Sequence, residues 1–400
     1  MIEHWLWLAD RPRLGAIRAG ELLARFGSAE AIYQTSDEAL ARAGVKPSVR
    51  AALADRSLAA AQKRFADCRA AGVRVLIPGD GEYPDRLRQQ ADAPVVLYAV
   101  GRMPDLEQAP CIGLVGAREA DGRGLELARR LGWQIAACGG TVVTGMARGI
   151  DAMSALGALD RGGPVIGVLG CGLDVVYPKE NAAVLARVAE SGCLVSEYPP
   201  GAAPLARRFP ARNRIISALS DGVVVVEAAE NSGALITARW AAEQGRDVFA
   251  VPGPAGDPRS RGCSELLRNG ALLAECGWDV LREYEYRYPA AVREYHGRPP
   301  AAEIPAPAER DRPVRPASVP APEKQTPVER NPVPGVQSRD FSGLTEPQRR
   351  IVQTLLCGPM QLDALIDRAG LPAGQVLSQL TLLELRGVVR RDPGKFYALN

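Results

Sequence analysis

The chain is poor in the residues on which most hydrolytic and metal-dependent chemistry rests. It has 2 histidines in 400 residues, His4 and His296. Neither falls in the stretch of alternating strands and helices from Val75 to Leu281, so the usual base for a Ser or Cys nucleophile is missing there. Its 8 cysteines, Cys68, Cys111, Cys138, Cys171, Cys193, Cys263, Cys276 and Cys357, are scattered, and none forms a C-x-x-C pair. Zinc-ligand spacing is therefore absent. A disulfide framework is not expected in so long a chain without a secretory signal. No G-x-x-x-x-G-K-S/T run occurs, which excludes a P-loop ATPase. Gly122-Arg123-Gly124 and Gly170-Cys171-Gly172 both lack the third glycine of a dinucleotide fingerprint, so NAD is not expected. No metal or cofactor is implied. No apolar run approaches the roughly 20 residues of a membrane helix. Met1 to Asp10 carries Glu3 and Asp10 and lacks the apolar core of a signal peptide. The expected location is the cytoplasm. A net charge of +3 is small for this length, so any affinity for nucleic acid must come from a local patch.

What is present divides into four regions, expected at 1–73, 74–297, 298–342 and 343–400. In the first, Leu22, Leu23 and Phe26 recur at helical spacing, and Gly27-Ser28 stops one helix and starts the next. Short helices broken by Gly form a small helical module. In the second, short Val/Ile/Leu runs alternate with helical stretches: Ile112–Val115, Thr141–Thr144, Val165–Leu169, Leu194-Val195, Val223–Val226 and Val248–Val251. Near-continuous apolar strands separated by helices indicate a parallel sheet buried on both faces, a doubly wound α/β domain. In the third, prolines recur from Pro299 to Pro334 without a fixed period, which reads as an extended, mobile linker. The fourth has three amphipathic helices, around Ile351–Leu356, Leu362–Ile366 and Val376–Leu383. Val388-Val389, Gly394 and Phe396-Tyr397 then suggest a hairpin. Three helices and a hairpin make a winged helix-turn-helix. That module binds DNA in many proteins and serves protein contacts in others.

The most informative stretch is Arg207-Arg208-Phe209-Pro210-Ala211-Arg212-Asn213-Arg214. Guanidinium groups bind phosphate bidentately. An aromatic ring among them offers a face on which a base can stack. In a doubly wound sheet, ligands bind outside the carboxyl ends of the strands. The segments at those ends here include Gly116-Ala117-Arg118, Gly145–Asp151, Gly170–Asp174, Ser196–Pro199 and Glu227–Ala234. Helix N-termini after Gly116 and Ser232 expose N–H groups suited to phosphate, and Arg118 and Arg148 add charge. Asp151 is expected to cap a helix. Glu197, Glu227 and Glu230 are expected to cap helices or pair with the arginines. No catalytic constellation emerges.

These strings, in order, resemble the family of the DNA-processing protein DprA, also called Smf. The resemblance rests on Val115–Arg118, Thr144–Asp151, Gly170–Pro178, Ser196–Pro199, Phe209–Ile216, Ser232–Ala238 and Gly245–Gly253, with Tyr83-Pro84 upstream. It implies a Rossmann-like, mostly parallel sheet with an N-terminal helical, SAM-like domain and a C-terminal winged helix. It implies a non-enzymatic protein that binds single-stranded DNA, protects incoming strands during natural transformation and helps load RecA, usually as a homodimer. On that reading Arg118 binds phosphate, Phe209 stacks on a base, Arg212, Asn213 and Arg214 contact the strand, and Ser232-Gly233 contacts the backbone. The chain departs from the family pattern at Ala155, Ser264 and Ala206. At the last a lysine is replaced, and Arg207 or Arg208 is expected to supply the charge. Two alternatives remain: a phosphoribohydrolase-like enzyme, whose Pro-Gly-Gly-x-Gly-Thr loop is absent here, and a pure interaction scaffold.

Overall fold

The computed structural model describes residues 1–12, 14–299, 344–356, 358, 360–371, 373–385, 388–392 and 396–399. The proline-rich stretch expected to be a linker lies almost entirely outside the described residues. The chain divides into two compact units, and the division falls within that stretch.

The first unit opens with six helices, α1 Ile2–Ala9, α2 Gly15–Phe26, α3 Ala29–Gln34, α4 Asp37–Arg42, α5 Pro47–Leu53 and α6 Ala59–Ala70. Gly27 follows the last residue of α2, and the Ser28 hydroxyl accepts from Ala31 N at 3.1 Å to cap α3. Their buried faces share one core, built on Leu6, Trp7, Ile32, Leu40 and Leu53. It continues onto Val75 and Tyr98 of the adjoining sheet.

That sheet has nine strands: β1 Arg74–Leu76, β2 Leu97–Gly101, β3 Cys111–Val115, β4 Thr141–Thr144, β5 Val165–Leu169, β6 Cys193–Ser196, β7 Gly222–Val225, β8 Asp247–Ala250 and β9 Leu272–Leu273. Their spatial order is β1-β2-β6-β5-β4-β3-β7-β8-β9. From β6 to β9 all neighbours are parallel, while β1 and β2 add an antiparallel edge that the apolar runs did not reveal. Strands β3 to β7 carry only buried residues, as expected of apolar runs covered on both faces.

The intervening helices are α7 Asp85–Arg88, α8 Gly122–Ala137, α9 Ile150–Asp160, α10 Ala182–Ser191, α11 Arg208–Leu219, α12 Gly233–Glu243, α13 Arg261–Arg268 and α14 Gly277–Leu281. One face of the sheet is covered by side chains of α8, α9, α10 and α14, such as Leu131, Ile135, Ile150 and Val188. The other is covered by Ile215, Leu219, Ala234 and Ala238 of α11 and α12. Helices α8 and α9 cross in direct backbone contact. A Cβ on Gly132 would lie 2.0 Å from Ser154 O, and one on Gly157 would lie 2.0 Å from Arg129 O. At the opposite end of the sheet, Asp221 accepts from Cys111 N at 2.8 Å, Arg86 at 3.0 Å, Arg287 at 3.0 Å and Tyr288 at 3.1 Å. These bonds tie the starts of β3 and β7 to the segment that closes the unit.

The chain leaves β3 in both directions. Strands β4, β5 and β6 build outward on one side, and β7, β8 and β9 on the other. The carboxyl ends of β3 and β7 therefore diverge into helices on opposite faces and leave a crevice between them.

The second unit holds α15 Glu346–Leu355, β10 Met360–Gln361, α16 Leu362–Ala369, α17 Ala373–Leu385, β11 Val389–Asp392 and β12 Phe396–Leu399. The expected three helices and hairpin are present. Strand β10, which no sequence signal marked, pairs with β12 to make a three-stranded antiparallel sheet. Ile351, Leu355, Leu365, Val376, Leu380 and Leu383 close the core. Thr345 and Gln348 form a capping box at the start of α15.

Candidate nucleic-acid interface

The crevice between β3 and β7 is a cleft of about 730 Å³. Its first wall is the loop after β3. Ala117 N donates to Glu227 O at 2.8 Å, and Ile150 N donates to Ala117 O at 3.1 Å, so this loop is pinned to both β7 and α9. Asp121 then caps α8 by accepting from Gly124 N at 2.9 Å. That bond holds the Asp121 carboxyl below its ordinary range, and Arg259 at 2.7 Å adds to the effect. The opposite wall is the start of α12, where the Ser232 hydroxyl accepts from Ala234 N at 3.3 Å. Gly233, just inside the helix, is exposed and has open space around it. The N-terminus of α12 thus lines the cleft and favours an anion there, while the start of α8 lies outside the lining and is capped by Asp121.

Arg118 is exposed at the cleft mouth. Among the described residues no carboxylate forms an ion pair with it. Its guanidinium lies over the Phe209 ring, 5.6 Å from the centroid. Phe209, in the first turn of α11, is half-buried. One ring edge rests on the Gly170 backbone, where an added Cβ would come within 2.9 Å of Cδ1. Tyr177 lies beside it, with ring centroids 5.3 Å apart and planes tilted by 36°. Asn213, one turn further along α11, donates from Nδ2 to Gly233 O at 3.3 Å and joins the two walls.

The arginine-rich stretch does not act as one patch, because α11 turns its members in different directions. Arg207 is exposed. Arg208 is half-buried, lies 4.6 Å from the Tyr198 ring centroid and donates to Ala203 O at 2.6 Å. Arg212 is only 3% exposed. Its guanidinium donates to Gly145 O at 2.7 Å and to Val168 O, joining the ends of β4 and β5 to α11. Burial pushes its pKa down to about 10, against the opposing pull of Asp151. Arg214 is 8% exposed and pairs with Asp92 at 3.1 Å and Glu197 at 2.7 Å. The strand contacts expected of Arg212 and Arg214 thus fall on side chains whose donors are turned into the protein. Arg148 is exposed and pairs with Glu180 at 2.7 Å.

Asp151 does not cap α9 as expected. The N-cap position is Gly149, and Asp151 is buried in the first turn, where it accepts from Ala147 N at 3.4 Å. Burial raises its pKa, and Arg212 is the largest opposing influence. Asp174 serves a turn, accepting from Gly201 N at 2.8 Å. Glu227 is partly buried in the cleft, and burial raises its pKa. Three residues that the sequence reading did not single out also stand at the rim: Tyr177, Arg259 and Arg261. Arg259 was discoverable only through its place after β8, and Tyr177 only through its neighbour Pro178.

A mostly parallel Rossmann-like sheet with a cleft at its switch point, in one chain with a winged-helix module, defines a class of two-module α/β proteins. Residues 74–285 match the family described as DNA recombination-mediator protein A. Residues 337–395 match the DprA winged helix domain. The chain belongs to the DprA/Smf family. It is 36% identical to Protein Smf of Escherichia coli over 81% of this chain and 77% of that protein. It is 43% identical to the DNA processing protein DprA of Streptococcus pneumoniae over 52% of this chain and 73% of that one. The X-ray structure of the Streptococcus pneumoniae protein superposes with a TM-score of 0.62 at 33% identity, covering 74% of this chain and 99% of that chain.

Proposed function

We propose that the chain binds single-stranded DNA along the rim of its Rossmann-like domain and acts as a binding protein rather than an enzyme. The observation that carries this reading is Arg118. It is an exposed cation with no carboxylate partner among the described residues, held against an aromatic ring at the mouth of a cleft that the N-terminus of α12 lines. Backbone phosphate meets Arg118 and the first turn of α12 at Gly233, while Phe209 offers its ring to a base. Ser232, Gly233 and Asn213 line the path beyond. Arg207, Arg208 and Arg148 supply charge at its flanks. Arg212 and Arg214 hold α11 in place and contribute to binding only through that.

The lack of histidine between residues 5 and 295 removes the commonest general base and supports binding over catalysis. The family's description as a recombination mediator supports extending the role to delivery of strands to RecA during transformation. A homodimer as the working form and the cytoplasm as its place belong to the same proposal through the family resemblance alone. No helix among the described residues is long and apolar enough to cross a membrane.

The test is fluorescence anisotropy of the full chain with labelled oligo-dT and with duplex of equal length. The single strand is expected to bind more tightly. Phe209→Ala is expected to weaken it by about 1–3 kcal/mol, the cost of one lost base–ring stack. Equal affinity for duplex, or unchanged binding by the variant, refutes the assignment.

A further inference from the structure

The Phe209 ring separates the main cleft from a second cavity, of about 260 Å³, on its far side. We infer that this cavity is a second nucleobase slot, with Tyr177 as its stacking wall, taking a base of the strand whose neighbour lies on Phe209. The inference rests on the single-strand reading above.

Met146, Leu169, Gly170, Cys171 and Pro178 line the cavity, and Arg118, Glu119 and Arg148 stand at its edge. The uncharged walls admit a flat ring, and the two arginines suit the phosphate beside it. Its volume lies just below the ~300–1,000 Å³ typical of drug-sized ligands, so it fits a single ring system rather than a whole nucleotide.

Tyr177 is 39% exposed, and Val176 before it is 49% exposed. An aromatic ring this open, at the wall of the cavity, presents surface on which a base can stack. A base cannot lie between Tyr177 and Phe209. Two van der Waals contacts would need roughly 7 Å between the rings, and the centroids are 5.3 Å apart and tilted by 36°. The two rings are therefore separate platforms, and successive bases on successive aromatics is the usual arrangement for sequence-tolerant strand binding.

The floor of the cavity is also held in an unusual conformation. Met146 has φ +56°, the left-handed region that a long side chain rarely adopts. Its carbonyl accepts from Asn181 Nδ2 at 3.0 Å, and that of Ala147 accepts from the same nitrogen at 3.1 Å. Such strain persists where surrounding structure enforces it, and it concentrates at ligand sites. Asn181 follows closely on Tyr177-Pro178, so the same short segment fixes both the floor and the wall.

The experiment compares Tyr177→Ala, Tyr177→Leu and Tyr177→Phe with the unaltered full chain, on oligo-dT and on oligo-dT bearing 5-iodouracil. Loss of a stacked base should weaken binding about 5- to 150-fold in the Ala and Leu variants. The Phe variant should bind as the unaltered chain does. The dependence on salt should not change, because no charge is removed. Photocrosslinks from 5-iodouracil should map to Tyr177 as well as Phe209. Wild-type affinity in Tyr177→Leu, or crosslinks confined to Phe209, overturns the second slot while leaving the first reading intact. Failure of the unaltered chain to bind any single strand overturns both.

Discussion

Replacing Arg212 by Ala separates a structural arginine from a DNA contact. In the fold this side chain is buried and its guanidinium bridges Gly145 O and Val168 O. The change removes two hydrogen bonds from a charged donor, each worth roughly 1.5–3 kcal/mol. It also leaves the buried Asp151 without its main compensating charge. Removing one member of a buried charged pair typically costs about 3–5 kcal/mol. The expected loss is therefore about 3–5 kcal/mol, a large part of the ~5–15 kcal/mol that holds a domain together. Arg212→Lys keeps the charge but offers a point charge instead of a planar fork, and should lose less. All five tryptophans, Trp5, Trp7, Trp133, Trp240 and Trp278, lie in the first compact unit. Urea unfolding followed by tryptophan fluorescence thus reports that unit alone. An Arg212→Ala chain with wild-type stability, and with a salt dependence of single-strand binding made shallower by about 0.7, would mean that Arg212 faces phosphate. The internal placement would then be wrong.

Two further perturbations probe the frame around the site. Asp121→Ala should cost about 1 kcal/mol at pH 7 through loss of the α8 cap. Because the folded pKa of Asp121 is depressed, its contribution is present above the unfolded value and is lost as pH falls through the folded one. Melting curves of the two chains should converge in acid, and a gap independent of pH refutes the cap. Gly132→Ala should push α8 from α9, since the new methyl would meet Ser154 O at 2.0 Å. Overpacking of this kind costs about 1–3 kcal/mol, and an unchanged melting temperature would contradict the close crossing.

Much of this architecture was legible because apolar runs and helix punctuation are local signals. The buried strands β3 to β7, the break at Gly27-Ser28 and the three helices of the winged module each rest on neighbours within a few residues. The edge strands were not legible. β1 mixes an arginine with two apolar residues, and β9 and β10 are two residues each, too short to carry a period. At the site, Arg118, Phe209 and Ser232-Gly233 come to one rim because strand order alone places them there. The fates of Arg212 and Arg214 could not be read from the sequence. The carbonyls that hold Arg212 belong to residues 67 and 44 positions away. Arg214 meets Asp92 across more than a hundred residues of chain. Charge was visible, but its direction depends on which way α11 rolls on the sheet.

The central claim is that Arg118 meets the phosphate backbone of a single strand at the switch-point cleft. Its most direct test is the salt dependence of oligo-dT binding by the full chain and by Arg118→Ala, measured in the same buffers. The slope of log K against log salt should become shallower by roughly 0.7, the share of one phosphate on a single strand, with affinity reduced at low salt. Identical slopes and affinities in the two proteins would contradict the account.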